Sequence, residues 1–440
     1  MGLTLIKAAR ERMPGPDREL AGIVRGIIDD VRARGEAALL EYSERFDGVR
    51  PRSIRVDAEE VREAYRVVPE RTVEALRLAH RRIRDFAMRQ RDCLRELHYR
   101  DSEAALELGL RLLPVESCGC YVPAGRYPLP SSALMSVTTA KAAGVKRVAA
   151  SSPPVRGAGV HPAVLAAMDI AGADEIYCAG GAGAIAAFAY GAAGLRDGGG
   201  GGGIPRVDMI VGPGNRFVTE AKRQVSGDAG IDGLAGPSEA LIIADGTANP
   251  RFIAADLLAQ AEHDPDARPA LVCTDRAVID KTLDWLGRQL AGLPESPPAK
   301  KTASLSWEAN GAVYLAASID DAVELANSIA PEHIELQVAT EAERVLAERL
   351  HAYGSLFAGR YAPVAFGDFV SGTNHILPTM GSARFSGGLW VGTFLRAAFH
   401  QFIPKEGFRA LAAPCALLAE TEGLYAHRDS VMVRLEESRA

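Results

Sequence analysis

Four short stretches of the sequence each place a histidine close to a second polar side chain, the minimum needed to share a metal ion or a proton. In ADLLAQAEH, Gln260 and His263 stand three residues apart near the end of an apolar helix pattern, so both project from one face. In FGDFVSGTNHILP, Asp368 and His375 converge only if the glycine-bearing loop between them folds back. The first stretch could hold a cation and the second could form a functional site, but taken singly a helix end whose polar side chains meet water and a surface turn explain them at least as well.

The other two stretches place a carboxylate beside the imidazole. Glu332 and His333 follow Pro331 in APEHIELQV, where a turn would present both side chains. A neighbouring carboxylate would raise the pKa of the imidazole and suit it to act as a general base, whereas a charged pair at an element boundary is the structural alternative. Glu422 and His427 repeat the pattern in ETEGLYAHRDSV. The pairs therefore predict acid–base chemistry.

Taken together, part of this set offers nitrogen and oxygen ligands without a thiolate, the donor chemistry of a borderline divalent ion such as Zn²⁺. The four side chains concerned are Gln260, His263, Asp368 and His427. Cys118 and Cys120 form an isolated C-x-C, for which small buried strand residues are favoured over a metal pair.

The evidence for a nucleotide lies in two glycine turns. The run from Gly181 through Gly183 to Ala186 fits G-x-G-x-x-A, follows the apolar strand EIYCAG and opens a helix, which is the context for a pyrophosphate at a helix N-terminus. Small residues needed for tight helix–sheet packing would leave the same trace. A second strand-ending turn, GPGN, ends at Asn215.

Composition excludes several classes of partner. The chain has 50 basic and 56 acidic side chains, a net charge of −6, and aromatic residues make up 6% of it. Neither nucleic acid nor an anionic membrane surface is expected as the main partner, because both reward a concentrated positive field. Six cysteines in 440 residues are too few for a disulfide framework, and we see neither a signal peptide nor a long apolar run. A reduced, cytoplasmic location is expected.

Hydrophobic periodicity predicts an α/β protein. Residues 17–100 are charged and helix-periodic, and after Pro114 short apolar strands alternate with helices, which is typical of parallel sheets covered on both faces. A second alternating block begins after GPSE. The six glycines at positions 198–203 predict a flexible surface loop, and the last 50 residues predict helices plus a terminal tail.

The order of the motifs resembles the histidinol dehydrogenase family over residues 18–434. The motifs are YVPAGRYP, AGVKRV, VGPGN, IDGLAGPSEALIIAD, DLLAQAEHDPDA, PEHIELQ, GDFVSGTNHILPT and EGLYAHRDSV. The resemblance implies an intertwined homodimer with two incomplete Rossmann-like domains, one of them discontinuous, and two small, mainly helical terminal segments. The implied boundaries are residues 1–17, then 18–120 with 238–389, then 121–237 on the nucleotide side, and 390–440 as the segment exchanged between subunits.

The resemblance also implies an activity and a role for each site residue. Family members oxidise a primary alcohol through an aldehyde to a carboxylate, reducing two NAD⁺, and L-histidinol is the expected substrate. Glu332 would activate water and His333 would take the proton in the hydride-transfer steps. Zn²⁺ would be held by Gln260, His263, Asp368 and, from the partner subunit, His427. The substrate would be bound by these four ligands together with Ser238, His333, His375 and the partner-derived Glu422. NAD would be bound by Tyr121, Gly183 and Asn215.

Some positions depart from the family pattern. Gly183 stands in GGAGAI where family members usually carry a glutamine, GGAQAI, that contacts NAD. SCGCYVPAGRYPLP and SGGLWVGTFLR look more like paralogues that oxidise 2,3-dihydroxypropane-1-sulfonate, and Arg126 could pair with a sulfonate or be a plain surface arginine. Three hypotheses follow: oxidation of histidinol, the same chemistry on another small alcohol, and a non-catalytic relative that binds metal or nucleotide.

Overall fold

The computed structural model describes residues 2–11, 17–103, 105–124, 127–155, 159–194, 203–295 and 299–439. The chain forms two compact units, residues 1–89 with 115–394, and residues 90–114 with 395–440. Arg126 and most of the predicted glycine loop at 198–203 lie outside the described residues. In the described ranges, no helix is both long and apolar enough to cross a membrane.

Helices make up much of both units. In the described residues they are α1 (Arg18–Arg34), α2 (Glu36–Tyr42), α3 (Ala58–Val67), α4 (Glu70–Asp92), α5 (Pro130–Ala143), α6 (Pro162–Ala171), α7 (Gly181–Tyr190), α8 (Arg216–Val225), α9 (Pro250–Ala261), α10 (Arg276–Gly292), α11 (Ala299–Asn310), α12 (Ile319–Ile329), α13 (Thr340–Arg349), α14 (Val364–Phe369), α15 (Lys405–Thr421) and α16 (Tyr425–Arg439). A π-helical turn spans Ser43–Asp47, and 3₁₀ turns span Ser382–Arg384 and Val391–Phe394.

The strands form three sheets. They are β1 (Leu3–Lys7), β2 (Leu97–Arg100), β3 (Glu107–Pro114), β4 (Ser117–Tyr121), β5 (Arg147–Ser152), β6 (Glu175–Cys178), β7 (Met209–Val211), β8 (Gly230–Ile231), β9 (Glu239–Ala244), β10 (Arg268–Cys273), β11 (Ala312–Ala316), β12 (His333–Gln337), β13 (Ser355–Ala358) and β14 (Leu395–Phe402). The first sheet has the order β1-β11-β10-β9-β12-β13, the second β6-β5-β4-β7-β8 and the third β14-β3-β2.

The two sheets of the larger unit are built from parallel strands, as the alternation of strands and helices predicts. Only the pairing of β1 with β11 is antiparallel among the strand pairs of these two sheets in the described residues. β9 is buried along its whole length: Ile242 packs with α9 on one face, and Leu241 and Ile243 pack with α12 on the other. A strand covered on both faces needs a continuous apolar run, which EALIIA supplies after its first residue. The predicted α/β class is confirmed.

Within a parallel sheet, every strand begins at one edge and ends at the other. His333 begins β12 and aligns with Ala240 near the start of β9, so both lie at the amino edge of the first sheet. Tyr121 ends β4, and the turns at Gly180 and Gly212 directly follow β6 and β7, so all three lie at the carboxyl edge of the second sheet. The first edge carries the catalytic pair predicted from the sequence, and the second carries the predicted nucleotide turns.

The terminal segments differ from the prediction. The described part of residues 1–17 contains β1, so the prediction of a mainly helical first segment is wrong. The hydrogen-bond partners of β1 are supplied by β11, about 300 positions along the chain, and such a distant pairing leaves no local periodicity to detect. The last 50 residues contain β14 as well as the predicted helices, and β14 pairs with β3 over its whole length. The domain boundaries implied by the resemblance stay a prediction.

Candidate active site

Glu332 and His333 are presented where the chain enters the first sheet. The helix α12 ends at Ile329, Ala330 takes a left-handed conformation, and Pro331 leads directly into β12. Both side chains are buried, with Glu332 5% and His333 4% exposed. The predicted turn therefore presents the two side chains to the interior of the unit rather than to water.

The backbone of Glu239 orients both members of this pair. Its amide N–H donates to Glu332 Oε2 over 2.9 Å, and its carbonyl oxygen lies 3.0 Å from His333 Nδ1. Because a carbonyl oxygen can only accept, Nδ1 must carry the hydrogen, which leaves the lone pair of the imidazole on Nε2. His333 Nε2 is buried and has no hydrogen-bond partner among the described residues. The arrangement leaves one imidazole nitrogen as an acceptor without a donor.

Burial shifts the two pKa values in opposite directions. Desolvation, followed by the charge of Asp368, raises the pKa of Glu332 well above its ordinary value. Desolvation, followed by the nearby imidazoles of His263 and His375, lowers the pKa of His333 to about 3. The expectation that Glu332 would raise the pKa of the imidazole is therefore wrong, because the cost of burying a charged imidazole is the larger effect. His333 is held neutral, and the ionised form of Glu332 is a stronger base than an exposed glutamate.

Three of the predicted metal ligands come together beside this pair. Gln260 lies in the last turn of α9, and His263 lies two residues beyond the end of that helix. His263 Nε2 is 3.9 Å from Asp368 Oδ2. The amide of Gln260 is buried, and in the part of the chain that the structure describes neither its oxygen nor its nitrogen has a hydrogen-bond partner. Gln260, His263 and Asp368 thus leave polar atoms to be satisfied by a ligand.

These atoms fit a cation. Burial raises the pKa of Asp368 to about 7, as expected for a carboxylate that lacks a counter-charge. A divalent ion would supply that charge and would also satisfy the orphaned oxygen of Gln260. In the described ranges, no group of three His, Cys, Asp or Glu side chains is close enough to hold a metal by itself. The amide of Gln260 and a further ligand are therefore needed to complete a site.

His375 is carried back onto Asp368 by the loop between them. Its Nδ1 lies 2.9 Å from the backbone carbonyl of Asp368, which confirms that the loop folds back. Gly372 permits this at a φ of +105°, where an added side chain would also meet the backbone of Arg82. His375 Nε2 lies 3.2 Å from Ser132 Oγ at the start of α5, so the serine hydroxyl can donate to it. Asp368 itself lies in the short helix α14 rather than in a loop.

The remaining predicted substrate residues fall in both units. Ser238 directly precedes β9, and its side chain hydrogen-bonds with Glu332, which partly offsets the rise in that carboxyl's pKa. Glu422 ends α15 and His427 lies in the first turn of α16, and both are exposed. They belong to the second unit, whereas the other predicted site residues belong to the first. The contribution of a partner subunit stays a prediction.

On the nucleotide side, Tyr121 and Asn215 both organise helix starts. Tyr121 Oη accepts a hydrogen bond from Gly181 N over 3.2 Å at the start of α7, and Asn215 Oδ1 caps α8 through Phe217 N and Val218 N. The position that a β-carbon would occupy at Gly181 has no neighbour within 4 Å, so space is open beside this helix start. These features fit a dinucleotide bound at the carboxyl edge of the second sheet.

Gly183 lies behind this helix start, inside the core. A β-carbon there would lie 3.2 Å from Leu39 Cδ2 and point towards α1 and α2. The glycine allows these helices to pack closely on α7. Tight packing, the alternative to a phosphate-binding turn, therefore explains why this residue is small. Its role in binding NAD stays a prediction.

Two residues that orient side chains of the site were not predicted from the sequence. Glu239 acts through its backbone, and Ser132 lies in a helix of small residues where nothing distinguishes it from its neighbours. Glu239 could have been found, since it stands beside Ser238 in the GPSE motif.

Cys118 and Cys120 lie buried in β4, as the favoured alternative predicts.

The chain is similar along nearly its whole length to proteins of one family. A family model described as histidinol dehydrogenase matches residues 11–435. From Ruegeria pomeroyi, a histidinol dehydrogenase is 44% identical, covering 98% of this chain and 95% of the relative, and a histidinol dehydrogenase homolog is 40% identical, covering 100% and 98%. The crystal structure of histidinol dehydrogenase from Elizabethkingia anophelis superposes with a TM-score of 0.88 at 33% identity, covering 98% of this chain and 95% of that one. The chain therefore belongs to the histidinol dehydrogenase family, a family of NAD-linked oxidoreductases, and is an enzyme.

Proposed function

We propose that this enzyme oxidises L-histidinol to L-histidine through the aldehyde, in two steps that together reduce two NAD⁺. The overall change consumes one alcohol, one water and two NAD⁺, and releases the carboxylate, two NADH and three protons. The observation that supports the proposal most strongly is the pair Glu332 and His333. Both are oriented by the backbone of one residue, Glu239, and His333 keeps a buried nitrogen without a partner. Such a pair can supply two distinct proton acceptors, as a four-electron oxidation requires.

The two residues divide the proton transfers. In the first step, His333 Nε2 takes the alcohol proton as the hydride passes from the carbon to NAD⁺, and the imidazole then releases that proton to solvent. In the second step, Glu332 takes a proton from water so that the resulting hydroxide adds to the aldehyde carbon. The neutral His333 then takes the remaining hydroxyl proton of the hydrated aldehyde as the second hydride passes to a second NAD⁺, which leaves the carboxylate. A glutamate whose pKa is raised by burial is suited to the water step, because a stronger base removes a proton more readily.

A zinc ion and NAD complete the proposed site. Gln260, His263, Asp368 and the partner-derived His427 would hold Zn²⁺, which when bound supplies a Lewis-acidic anchor for the nitrogen atoms of the substrate. Ser238, His375 and the partner-derived Glu422 would line the substrate pocket. Tyr121, Gly183 and Asn215 would lie against NAD⁺, which when bound supplies the hydride acceptor. The proposal thus includes a homodimer with shared active sites.

A second substrate class is the sulfonated diol. This chain is 44% identical to the histidinol dehydrogenase and 40% identical to the histidinol dehydrogenase homolog of Ruegeria pomeroyi, so identity alone does not separate these two kinds of relative. Histidinol is proposed first because the family model and the solved structure that superposes on this chain are both described as histidinol dehydrogenase.

The first prediction concerns the substrate. Purified protein supplied with Zn²⁺ and NAD⁺ is expected to form two NADH per L-histidinol consumed, and to turn over 2,3-dihydroxypropane-1-sulfonate with a far lower kcat/KM. Absorbance at the NADH maximum, with product identified by mass spectrometry, measures both. Preferential oxidation of the sulfonate would assign the chain to the second class, and turnover of neither alcohol by a fully metallated dimer would reject both substrates.

A mixed dimer tests the sharing of active sites. His427→Asn and His333→Ala homodimers are each expected to be almost inactive. A heterodimer of the two, isolated with different affinity tags, should recover about half of the wild-type activity, because one of its sites then combines an intact His333 with the partner's intact His427. If verified heterodimers recover no activity, His333 and His427 of each site belong to the same chain. Each site of the heterodimer would then contain one of the two substitutions.

A further inference from the structure

A buried ion pair between Lys222 and Asp232 lies outside the predicted site but contacts the glycine turn that follows β7. Lys222 lies in α8 and Asp232 directly follows β8, and the two side chains are only 3% and 4% exposed. Burying two charges costs a large desolvation penalty, so such a pair is a weak source of stability. The two charges instead hold a turn of the backbone in place.

Both side chains of the pair hydrogen-bond to the backbone of one residue of the turn, Gly212. Asp232 Oδ2 accepts the hydrogen bond of the Gly212 amide over 2.8 Å, and Lys222 Nζ donates to the Gly212 carbonyl over 3.1 Å as well as to Asp232 Oδ1. Gly212 has a φ of +118°, and an added β-carbon would lie 2.1 Å from the carbonyl oxygen of Tyr121. The turn is therefore held against the end of β4 in a conformation that requires glycine.

The same pair also holds the start of the segment that leads to the catalytic residues. Asp232 Oδ1 accepts a hydrogen bond from Gly233 N over 2.8 Å. Further along this segment, the Ala235 carbonyl accepts from Thr219 Oγ1 over 2.8 Å, so α8 holds it a second time. The segment ends at Ser238 and Glu239, which contact Glu332. Asp232 thus holds the start of this segment, while the part that reaches Glu332 has contacts of its own.

We propose that Lys222 and Asp232 are positioning residues for the nicotinamide dinucleotide. They act through Gly212, which sets the distance between the end of β4 at Tyr121 and the cap of α8 at Asn215. This inference rests on the proposed use of NAD⁺ at those two residues. If the pair is removed, Gly212 loses its hydrogen bonds to Lys222 and Asp232. The dinucleotide then loses a preformed binding surface. The residues around Glu332 keep their own contacts.

Direct binding of NADH to Lys222→Met and Asp232→Asn tests the proposal. By fluorescence titration, the Kd for NADH should rise at least about tenfold in both variants, and the KM for NAD⁺ should rise in parallel. The kcat at saturating NAD⁺ and the KM for the alcohol should each change by less than about threefold. Lys141→Met is the matched control, because Lys141 forms a partly exposed ion pair with Asp174 in the same unit. Its Kd for NADH should equal that of the wild type.

A variant that fails to fold is replaced by the double variant Lys222→Met/Asp232→Leu, which leaves no unpaired buried charge. In a folded variant, an unchanged Kd for NADH would overturn the proposal, as would a loss of kcat with no change in NADH binding. The wild-type arm separates this inference from the proposed function. If wild-type protein binds NADH but oxidises neither alcohol, the proposed substrates are rejected, and the role of Lys222 and Asp232 is still decided by the binding test. If wild-type protein binds no NADH, the proposed function and the role of Lys222 and Asp232 are both rejected.

Discussion

Replacing Glu332 by glutamine is expected to slow oxidation of the aldehyde by about 10²- to 10⁴-fold, the usual contribution of a general base, while oxidation of the alcohol slows by less than about tenfold. Glutamine keeps the size of the side chain and can still accept the hydrogen bond of the Glu239 amide, but it cannot take a proton from water. His333 remains in place to accept the alcohol proton. The variant should therefore form one NADH rapidly and the second slowly.

Rapid-mixing measurements of NADH, with the aldehyde trapped by a hydrazine, resolve the two half-reactions. Glu335→Gln is the matched control, because Glu335 is another buried glutamate on β12, two residues beyond His333. It should leave the ratio of the two rates unchanged. Equal slowing of both half-reactions in Glu332→Gln would remove the water-activating role and leave Glu332 as a structural partner of Glu239.

The second large effect is expected for Asp368→Asn. We expect the affinity for Zn²⁺ to fall at least about 100-fold, because the substitution removes the only anionic ligand of the proposed set while preserving its shape. Wild-type protein stripped of metal should lose its activity and regain it with added Zn²⁺. The variant should need far more free Zn²⁺ for the same recovery.

Zinc content after dialysis against metal buffers, measured together with activity, tests this expectation. Asp256→Asn is the control, because Asp256 is a mostly buried carboxylate on α9, one turn before Gln260, and is not a proposed ligand. It should keep the wild-type zinc content. Equal zinc affinity in wild type and Asp368→Asn would exclude the carboxylate from the metal site.

Much of the site could be predicted because its residues stand at the boundaries of elements with strong periodicity. The strands β9 and β12 are apolar enough to be recognised, and polar residues at their starts must lie at one edge of a parallel sheet. The loop that joins Asp368 to His375 folds back as expected, because glycine makes the turn possible. Local signals of this kind need no knowledge of distant contacts.

Other features depend on distant contacts and could not be predicted. The lowered pKa of His333 results from its complete burial under residues of other elements, which the neighbouring glutamate does not reveal. The position of Gly183 against Leu39 depends on how α1 and α2 pack on α7, so the same glycines that suggest a phosphate turn also serve the core. β1 finds its partner about 300 residues away. In each case the deciding interaction is tertiary.

The two sheet edges have an electrostatic consequence. Helices α9 and α12 each return from the carboxyl edge of the first sheet and end at its amino edge, so they direct the negative ends of their dipoles towards the Gln260 and His333 side. Helices α7 and α8 begin at the carboxyl edge of the second sheet and direct their positive ends outward there. The direction of the strands therefore places helix ends of opposite dipole sign at the two edges. Negative helix ends attract cations and positive helix ends attract anions, so the backbone itself would favour the proposed ion at the first edge and the proposed pyrophosphate at the second.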